Sequence, residues 1–288
     1  MLGIPLNTTG IHLDTQRNPT MCRKRHFNWG KRTFVMGIVN VSPDSFSGDG
    51  VSSTDTAVEQ ARRFVAQGAD IIDVGGESTR PDSLPISETE ELARLIPIIQ
   101  HLCCELDVPI SIDSYKYDVV QASLRAGAHI INDIWGLQHN AQLAHLAAEY
   151  HAPIILVSNQ SNHPSTGDII QTIKTDLIRA IDICRLAKVP DEHIIIDPGI
   201  GFGKTLEQNL EIIHRLGELR DLTYPILLGA SRKSMIGAVL DIAVDERLSG
   251  TAAVNAIGIA HGADIIRVHD VHFMSKLAKM SDAVTRRF

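Results

Sequence analysis

Cysteine is scarce in this chain, basic charge is outnumbered, and no long apolar run occurs. Each absence removes a class of function. Only four cysteines occur among 288 residues: Cys22, Cys103, Cys104 and Cys184. Two are adjacent and none forms a CxxC pair. Reduced thiols are therefore expected, rather than a disulfide frame or a zinc site. Lysine and arginine total 27 against 34 aspartates and glutamates, a net charge of −7. A surface of that sign offers no sequence-independent grip on nucleic acid, although it leaves room for a local basic pocket. No stretch is long and apolar enough to span a bilayer. The first residues carry an early Asp14 and lack a basic start followed by an apolar run, so no secretory signal is expected. A cytoplasmic protein with no membrane or nucleic-acid partner is the expectation.

What is present has a clear grammar. The run Ile194–Lys204, IIIDPGIGFGK, is an apolar strand that delivers Asp197 to a glycine turn with a cation beyond it. Eight such segments recur: Phe34–Val39, Ala69–Val74, Pro109–Ile112, His129–Ile131, Pro153–Val157, His193–Ile196, Pro225–Leu228 and Asp264–Val268. Between them lie stretches with helical spacing. Thr54–Gln67 places Ala57, Ala61, Phe64 and Val65 on one face, and Leu206–Leu219 does the same with Leu210, Ile213 and Leu216. Near-continuous apolar strands alternating with helices predict a parallel sheet covered on its outside. Eight units in this length fit a (β/α)₈ barrel of typically ~250 residues. An open doubly wound sheet usually carries a GxGxxG loop after its first strand, and none is present. No low-complexity linker divides the chain. The reading is one barrel over residues 34–288, preceded by an N-terminal extension over 1–33 that packs across the floor. Val271–Phe288 reads as the last helix, with Arg286 and Arg287 placed to suit its dipole.

Residues just past the strands of a barrel share one rim. Collected in order, the tips give Asn40 and a long polar loop, then the GGESTRP turn, Asp113, Asn132 with Asp133, Asp197, the turn Gly229–Ser234, and Arg267 with His269 and Asp270. Singly, most of these have an ordinary explanation. Asn132 or Asp133 can cap a helix, and Arg267 can form a surface ion pair. Jointly, so many charges at one opening point to a site. Asp113, Asn132 and Asp197 can read the edge of a planar, nitrogen-rich ring. Arg267 and Lys233 add a flat stacking cation and a point charge. Arg267, His269 and Asn40 suit a diphosphate with its magnesium. The set describes group transfer from a diphosphate ester of a heteroaromatic ring.

MGIVNVSPDSFSGDG, IIDVGGESTRP, SIDSYK, IINDI, IIDPGIGFGK, GASRKSMIG and GADIIRVHDV resemble, in order, the motifs of the dihydropteroate synthase family. They run from about Val35 to Val271. The resemblance implies a TIM barrel and a transferase of folate biosynthesis. Such an enzyme joins 6-hydroxymethyl-7,8-dihydropterin diphosphate to 4-aminobenzoate, giving 7,8-dihydropteroate and diphosphate. It implies catalytic roles for Asp113, Asp197, Lys233 and Asp49. The pterin diphosphate would meet Thr79, Asp113, Asn132, Asp197, Lys233, Arg267 and His269. The aminobenzoate site, where sulfonamides compete, would use Phe46, Thr79, Arg80, Pro81 and Ser234. Asn40 would lie beside Mg²⁺, and the last helices would form a homodimer.

Three departures stand out. The first loop reads DSFSGDG where the family usually has DSFSDGG, so its carboxylate moves to Asp49. The fifth strand runs into Val157-Ser158-Asn159-Gln160, where the family carries a Met-His-Met-like segment. The N-terminal extension is longer than usual for the family. Two other readings share the barrel: a pterin-binding methyltransferase that carries a methyl group from a folate to a corrinoid, and a non-catalytic pterin-binding paralogue. The VSPDSFSGDG loop, the ESTRP turn and the SRKS run argue against the first, and the anion-binding Arg267, His269 and Lys233 argue against the second. Lys204 is expected to support its turn rather than to touch substrate.

Overall fold

A computed structural model describes residues 17–41, 54–77 and 85–286 of the chain. A short antiparallel hairpin comes first, β1 (Thr20–Cys22) paired with β2 (Arg25–Phe27). Eight parallel strands follow: β3 (Phe34–Asn40), β4 (Ile71–Gly75), β5 (Ile110–Asp113), β6 (Ile130–Asp133), β7 (Ile154–Val157), β8 (Ile194–Asp197), β9 (Leu227–Leu228) and β10 (Ile265–Val268). Hydrogen bonds run from β8 through β7, β6, β5, β4, β3 and β10 to β9. An Ile196–Ile226 bridge joins β8 to the entry of β9 and closes the ring. This is the expected (β/α)₈ barrel.

Helices alternate with the strands on the outside. They are α1 (Thr54–Ala66), α2 (Glu88–Glu105), α3 (Tyr117–Arg125), α4 (Leu143–Glu149), α5 (Ile169–Leu186) and α6 (Leu206–His214) after β3 to β8 in turn. Two helices follow β9, α7 (Ser234–Leu240) and α8 (Leu248–Ala260), and α9 (Val271–Thr285) follows β10. The helix expected over Leu206–Leu219 stops at His214, and a 3₁₀ segment over Leu216–Leu222 replaces its end. Gly217 in that stretch weakens the case for continuing an α-helix.

Side-chain parity sorts each strand into two layers. Val35, Ile72, Val74, Ile110, Ile112, Ile131, Ile154, Leu156, Ile194 and Ile196 point outward into the helix-covered core. Phe34, Met36, Ile71, Ile130, Ile155, Ile195, Leu227 and Ile265 point inward and fill the lower barrel. Both faces of the strands are thus dry, which is why they read as unbroken apolar runs. The hairpin seals the bottom. Cys22, Phe27 and Trp29 join the inner cluster, with Phe27 and Phe34 centroids 4.9 Å apart and Trp29 and Phe34 5.4 Å apart. Trp29 Nε1 donates to Thr20 Oγ1 at 2.9 Å, so the buried indole keeps a partner.

Charge holds the floor in place. Asp264 is buried; its carboxylate accepts from the N–H groups of Gly30 (3.2 Å) and Ile226 (3.0 Å) and from Arg17. Arg286 caps the end of α9 as expected, and its side chain also turns inward, with its guanidinium 3.8 Å from Asp264 and 2.9 Å from Asp282. Arg32 makes a two-pronged bond to Asp70 at 2.7 and 2.9 Å.

Candidate active site

Two residues further along the same strands, the inward positions become polar. Asp73 follows Ile71, Asn132 follows Ile130, Asp197 follows Ile195 and Arg267 follows Ile265. Asp113 holds the equivalent place at the tip of β5. Arg267 sits among them: its Nε donates to Asp73 at 2.6 Å and a terminal nitrogen donates to Asp113 at 2.5 Å. Asn132 Nδ2 donates to the same Asp73 oxygen at 3.2 Å. One guanidinium therefore serves two carboxylates. Burial raises the Asp113 carboxyl above its ordinary range, the Arg267 charge pulling it down and the Asp73 charge pushing it up. Burial presses the Arg267 guanidinium down, but Asp73 and Asp113 outweigh it and hold it firmly charged. The second oxygens of Asp73 and Asp113 are buried with no hydrogen-bond partner among the described residues. Acceptors left open in this way suit a ligand's N–H groups.

The turn after β8 builds the opposite wall. Asp197 Oδ1 accepts from the Gly199 N–H at 2.7 Å, and burial raises its carboxyl against the pull of Lys233. Lys233, at the start of α7, donates to the Ile200 carbonyl and lies 4.3 Å from the centre of the Phe202 ring. Burial lowers its ammonium to about 8, Asp197 opposing the shift. Gly201 holds a φ of +80° directly under the Lys233 stem, a place where a β-carbon would crowd it. Beside this wall, His269 Nδ1 pairs with Ser231 Oγ at 3.0 Å, and the His269 N–H donates to the same oxygen at 3.2 Å. Arg232, with φ +55°, forks onto Asp270 at 2.6 and 3.0 Å. Asn40 ends β3 beside Gly75, half-buried at the rim.

The structure thus gathers Asp113, Asn132, Asp197, Lys233 and Arg267 in one layer. His269 lies just past the end of β10, Asn40 ends the neighbouring β3, and Ser234 opens α7 as an exposed residue. Phe46, Asp49, Thr79, Arg80 and Pro81 lie outside the described residues. Asp133 turns away from the site. Its carboxylate accepts from the N–H groups of Trp135 (3.0 Å) and Leu137 (2.6 Å), and burial pushes it up to about 6. It holds the turn after β6 and does not cap a helix as its sequence allowed, because α4 begins only at Leu143. The fifth-strand departure is also placed. Val157 packs in the inner cluster near Phe202, Ser158 Oγ donates to Asp176 at 2.8 Å, and Asn159 Nδ2 donates to the Ile134 carbonyl at 2.9 Å.

A model of the pterin-binding enzyme family matches residues 36–269. The chain is 49% identical over 265 residues to the dihydropteroate synthase of Clostridium beijerinckii, covering 91% of this chain and 98% of that one. The chain belongs to the dihydropteroate synthase family. Its fold agrees with a crystal structure of the dihydropteroate synthase of Clostridium difficile in the presence of pteroic acid, at 48% identity and a TM-score of 0.87, covering 91% of this chain and all of that one. The Yersinia pestis dihydropteroate synthase in a sulfonamide drug complex superimposes with the same TM-score at 37% identity, covering 92% and 98% of the two chains.

The geometry brings in two residues that strand tips alone do not reveal. Asp73 lies within β4, not at its tip, and is fully buried. Its signal is its isolation: a carboxylate between Ile72 and Val74 is costly unless a cation meets it. Phe202 lies inside the glycine turn, and its ring reaches Lys233 only because the turn folds back toward β9. Lys204, by contrast, sits as its sequence suggests, with its ammonium bonded to main-chain carbonyls of the turn.

Proposed function

We infer that this chain catalyses the dihydropteroate synthase reaction, condensing 6-hydroxymethyl-7,8-dihydropterin diphosphate with 4-aminobenzoate. The observation that carries the reading beyond family membership is the polar layer of the barrel. Two buried carboxylates keep an open oxygen each, one guanidinium is shared between them, and a lysine stands on the facing wall. A planar amino-imine ring supplies the parallel N–H donors such acceptors need.

The residue roles follow from chemistry. Asp113, Asn132 and Asp197 hold the pterin edge, and Lys233 faces its carbonyl side. Arg267 and His269 bind the diphosphate, with the His269 ring oriented by Ser231. When the carbon–oxygen bond of the pterin methylene breaks, the electron pair leaves with the diphosphate. The cation left on the methylene is stabilised by the electron-rich ring and the flanking carboxylates. The aminobenzoate nitrogen then forms the new carbon–nitrogen bond and releases its proton. Orientation of the two substrates supplies much of the rate. Phe46, Thr79, Arg80, Pro81 and Ser234 are the proposed aminobenzoate grip, and Asp49 the loop carboxylate near the reacting carbon.

Asn40 suits Mg²⁺ by donor type, offering one hard amide oxygen at the rim where the diphosphate would lie. Bound there, the ion would neutralise charge on the departing oxygens. A homodimer is supported by apolar side chains left exposed on α6 to α9: Leu210, Val239, Leu240, Ile257, Phe273, Met280 and Val284. Among the described residues no helix is long and apolar enough to cross a membrane, and all four cysteines are free, in keeping with a cytoplasmic enzyme. We take residues 34–288 as one catalytic barrel and 1–33 as its extension.

The test is diphosphate release with both substrates present. Release that depends on 4-aminobenzoate and is suppressed by a sulfonamide is the expected result. No release, or release indifferent to aminobenzoate, overturns the reading. Methyl transfer to a corrinoid, or pterin binding without turnover, would point to the two relatives of the fold.

A further inference from the structure

The turn after β8 contains a lysine that the reaction described above does not use. Lys204 directs its ammonium at three main-chain carbonyls: Ser158 at 2.6 Å, Gly199 at 2.9 Å and Phe202 at 3.3 Å. An ammonium has three N–H donors, so this cage uses all of them. The Ser158 carbonyl belongs to the exit of β7 and the other two to the turn itself. The cation therefore ties two adjacent strand exits together. Glycine makes the approach possible. A β-carbon on Gly199 (φ +72°) would collide with the Ser158 carbonyl, and one on Gly203 (φ +66°) with the main chain of Gln160.

The turn held in this way presents three groups to the site. The Gly199 N–H orients Asp197, the Ile200 carbonyl receives the Lys233 ammonium, and the Phe202 ring lies beneath that ammonium. We propose that Lys204 is a positioning residue for the dihydropterin: its carbonyl cage sets the turn that aims both Asp197 and Lys233, so it governs pterin affinity without touching the ring. The proposal rests on the reading of Asp197 and Lys233 as pterin ligands given above. Charge adds to geometry. Burial presses the Lys204 ammonium down to about 7, with Asp197, Lys233 and Asp176 the charged groups facing it. Its charge is in turn one of those, with Lys233 and Arg267, that oppose the rise of the Asp197 carboxyl.

Lys204→Met in the full chain tests this, with kinetics for each substrate, a pH profile and a melting curve. Losing the cage is expected to lower kcat/KM for the dihydropterin diphosphate about 30-fold, as for loss of charge-assisted hydrogen bonds. The KM for 4-aminobenzoate should move less than about threefold, since the turn's named contacts are all to pterin ligands. The acidic limb of the profile should move to higher pH, because Asp197 loses a nearby cation. Lys204→Arg keeps the charge but cannot converge three donors on one cage, so it should restore the limb and only part of the affinity. A Lys204→Met protein that melts lower yet keeps its dihydropterin kcat/KM and its acidic limb is only stapled by Lys204, and that overturns the proposal. If Lys204→Met does not accumulate folded, Lys204→Arg decides: an unchanged dihydropterin KM overturns the proposal, and a raised one supports it. Absence of aminobenzoate-dependent release by the unaltered chain would sink the functional reading instead. Calorimetric pterin binding would then still decide, an unaltered Kd in Lys204→Met going against the cage.

Discussion

The floor and the mouth of this barrel both bury aspartates beside arginines, and they treat them in opposite ways. At the floor, Asp264 accepts from two backbone N–H groups and from Arg17, with Arg286 close by. At the mouth, Asp73 and Asp113 share Arg267, and each keeps an oxygen without a partner among the described residues. A saturated carboxylate stabilises the fold, whereas an unsaturated one at equal depth costs stability unless a ligand meets it. The contrast recurs within one strand. Ile195 and Asp197 lie two residues apart on β8 with the same parity, one in the dry layer and the other in the polar layer. Stability and function are thus stacked along the barrel axis.

The largest expected effect breaks the comparison at the mouth. Asp197→Asn keeps the shape of the side chain but cannot present a charged acceptor to the pterin. It should lower kcat about 10³-fold with the melting temperature unchanged or raised. A turnover within about tenfold of the parent would remove Asp197 from the chemistry.

The converse change is Asp264→Ala at the floor. It orphans the Gly30 and Ile226 N–H groups and leaves Arg17 and Arg286 short of their anion. A loss of about 3 kcal/mol in unfolding free energy is expected, as for breaking a buried pair from one side. The kcat/KM of the folded enzyme should stay the same. A collapse of activity without loss of stability would show that floor and mouth are coupled, not separate.

The pH profile offers a third test. Lys233 belongs to the mouth, and burial has lowered its ammonium to about 8. A cation with a lowered value loses its proton sooner as pH rises, so the ligand it holds is lost on the alkaline side. Above pH about 8, kcat/KM for the dihydropterin diphosphate should fall about tenfold per unit. Lys233→Arg should flatten that limb at a lower maximum, because a guanidinium stays charged throughout. A limb that survives the substitution near pH 7 belongs to Lys204, whose ammonium burial lowers to about 7. One that survives near pH 8 removes Lys233 from the assignment.

Much of this architecture is legible in the chain, and the reason is physical. Strands dry on both faces read as apolar runs, so all eight barrel strands begin and end within two residues of where their sequences suggest. Strand tips then nominate Asp113, Asn132, Asp197 and Arg267 without reference to structure. Parity is harder to see. Asn132 and Asp133 are neighbours, yet only Asn132 faces the barrel while Asp133 caps the turn at Trp135 and Leu137. Asp73 escapes a rule that looks only at tips. The carbonyl cage of Lys204 escapes every sequence rule, because a carbonyl oxygen is present at each residue and only the fold decides where it points.

Ile195→Val is the smallest test and the cleanest one. It removes one methylene from the dry layer of the strand that carries Asp197, and Ile195 has almost no exposure to solvent. A cost of about 1 kcal/mol is expected from lost transfer energy and a small void. In a chain of this size that lowers the melting temperature by about 2–4 °C. Because Asp197 is held by the turn at Gly199 and not by Ile195, kcat/KM should not change. If this one methylene alters catalysis, the two layers share strain through the strand and the separation drawn here fails at its closest point.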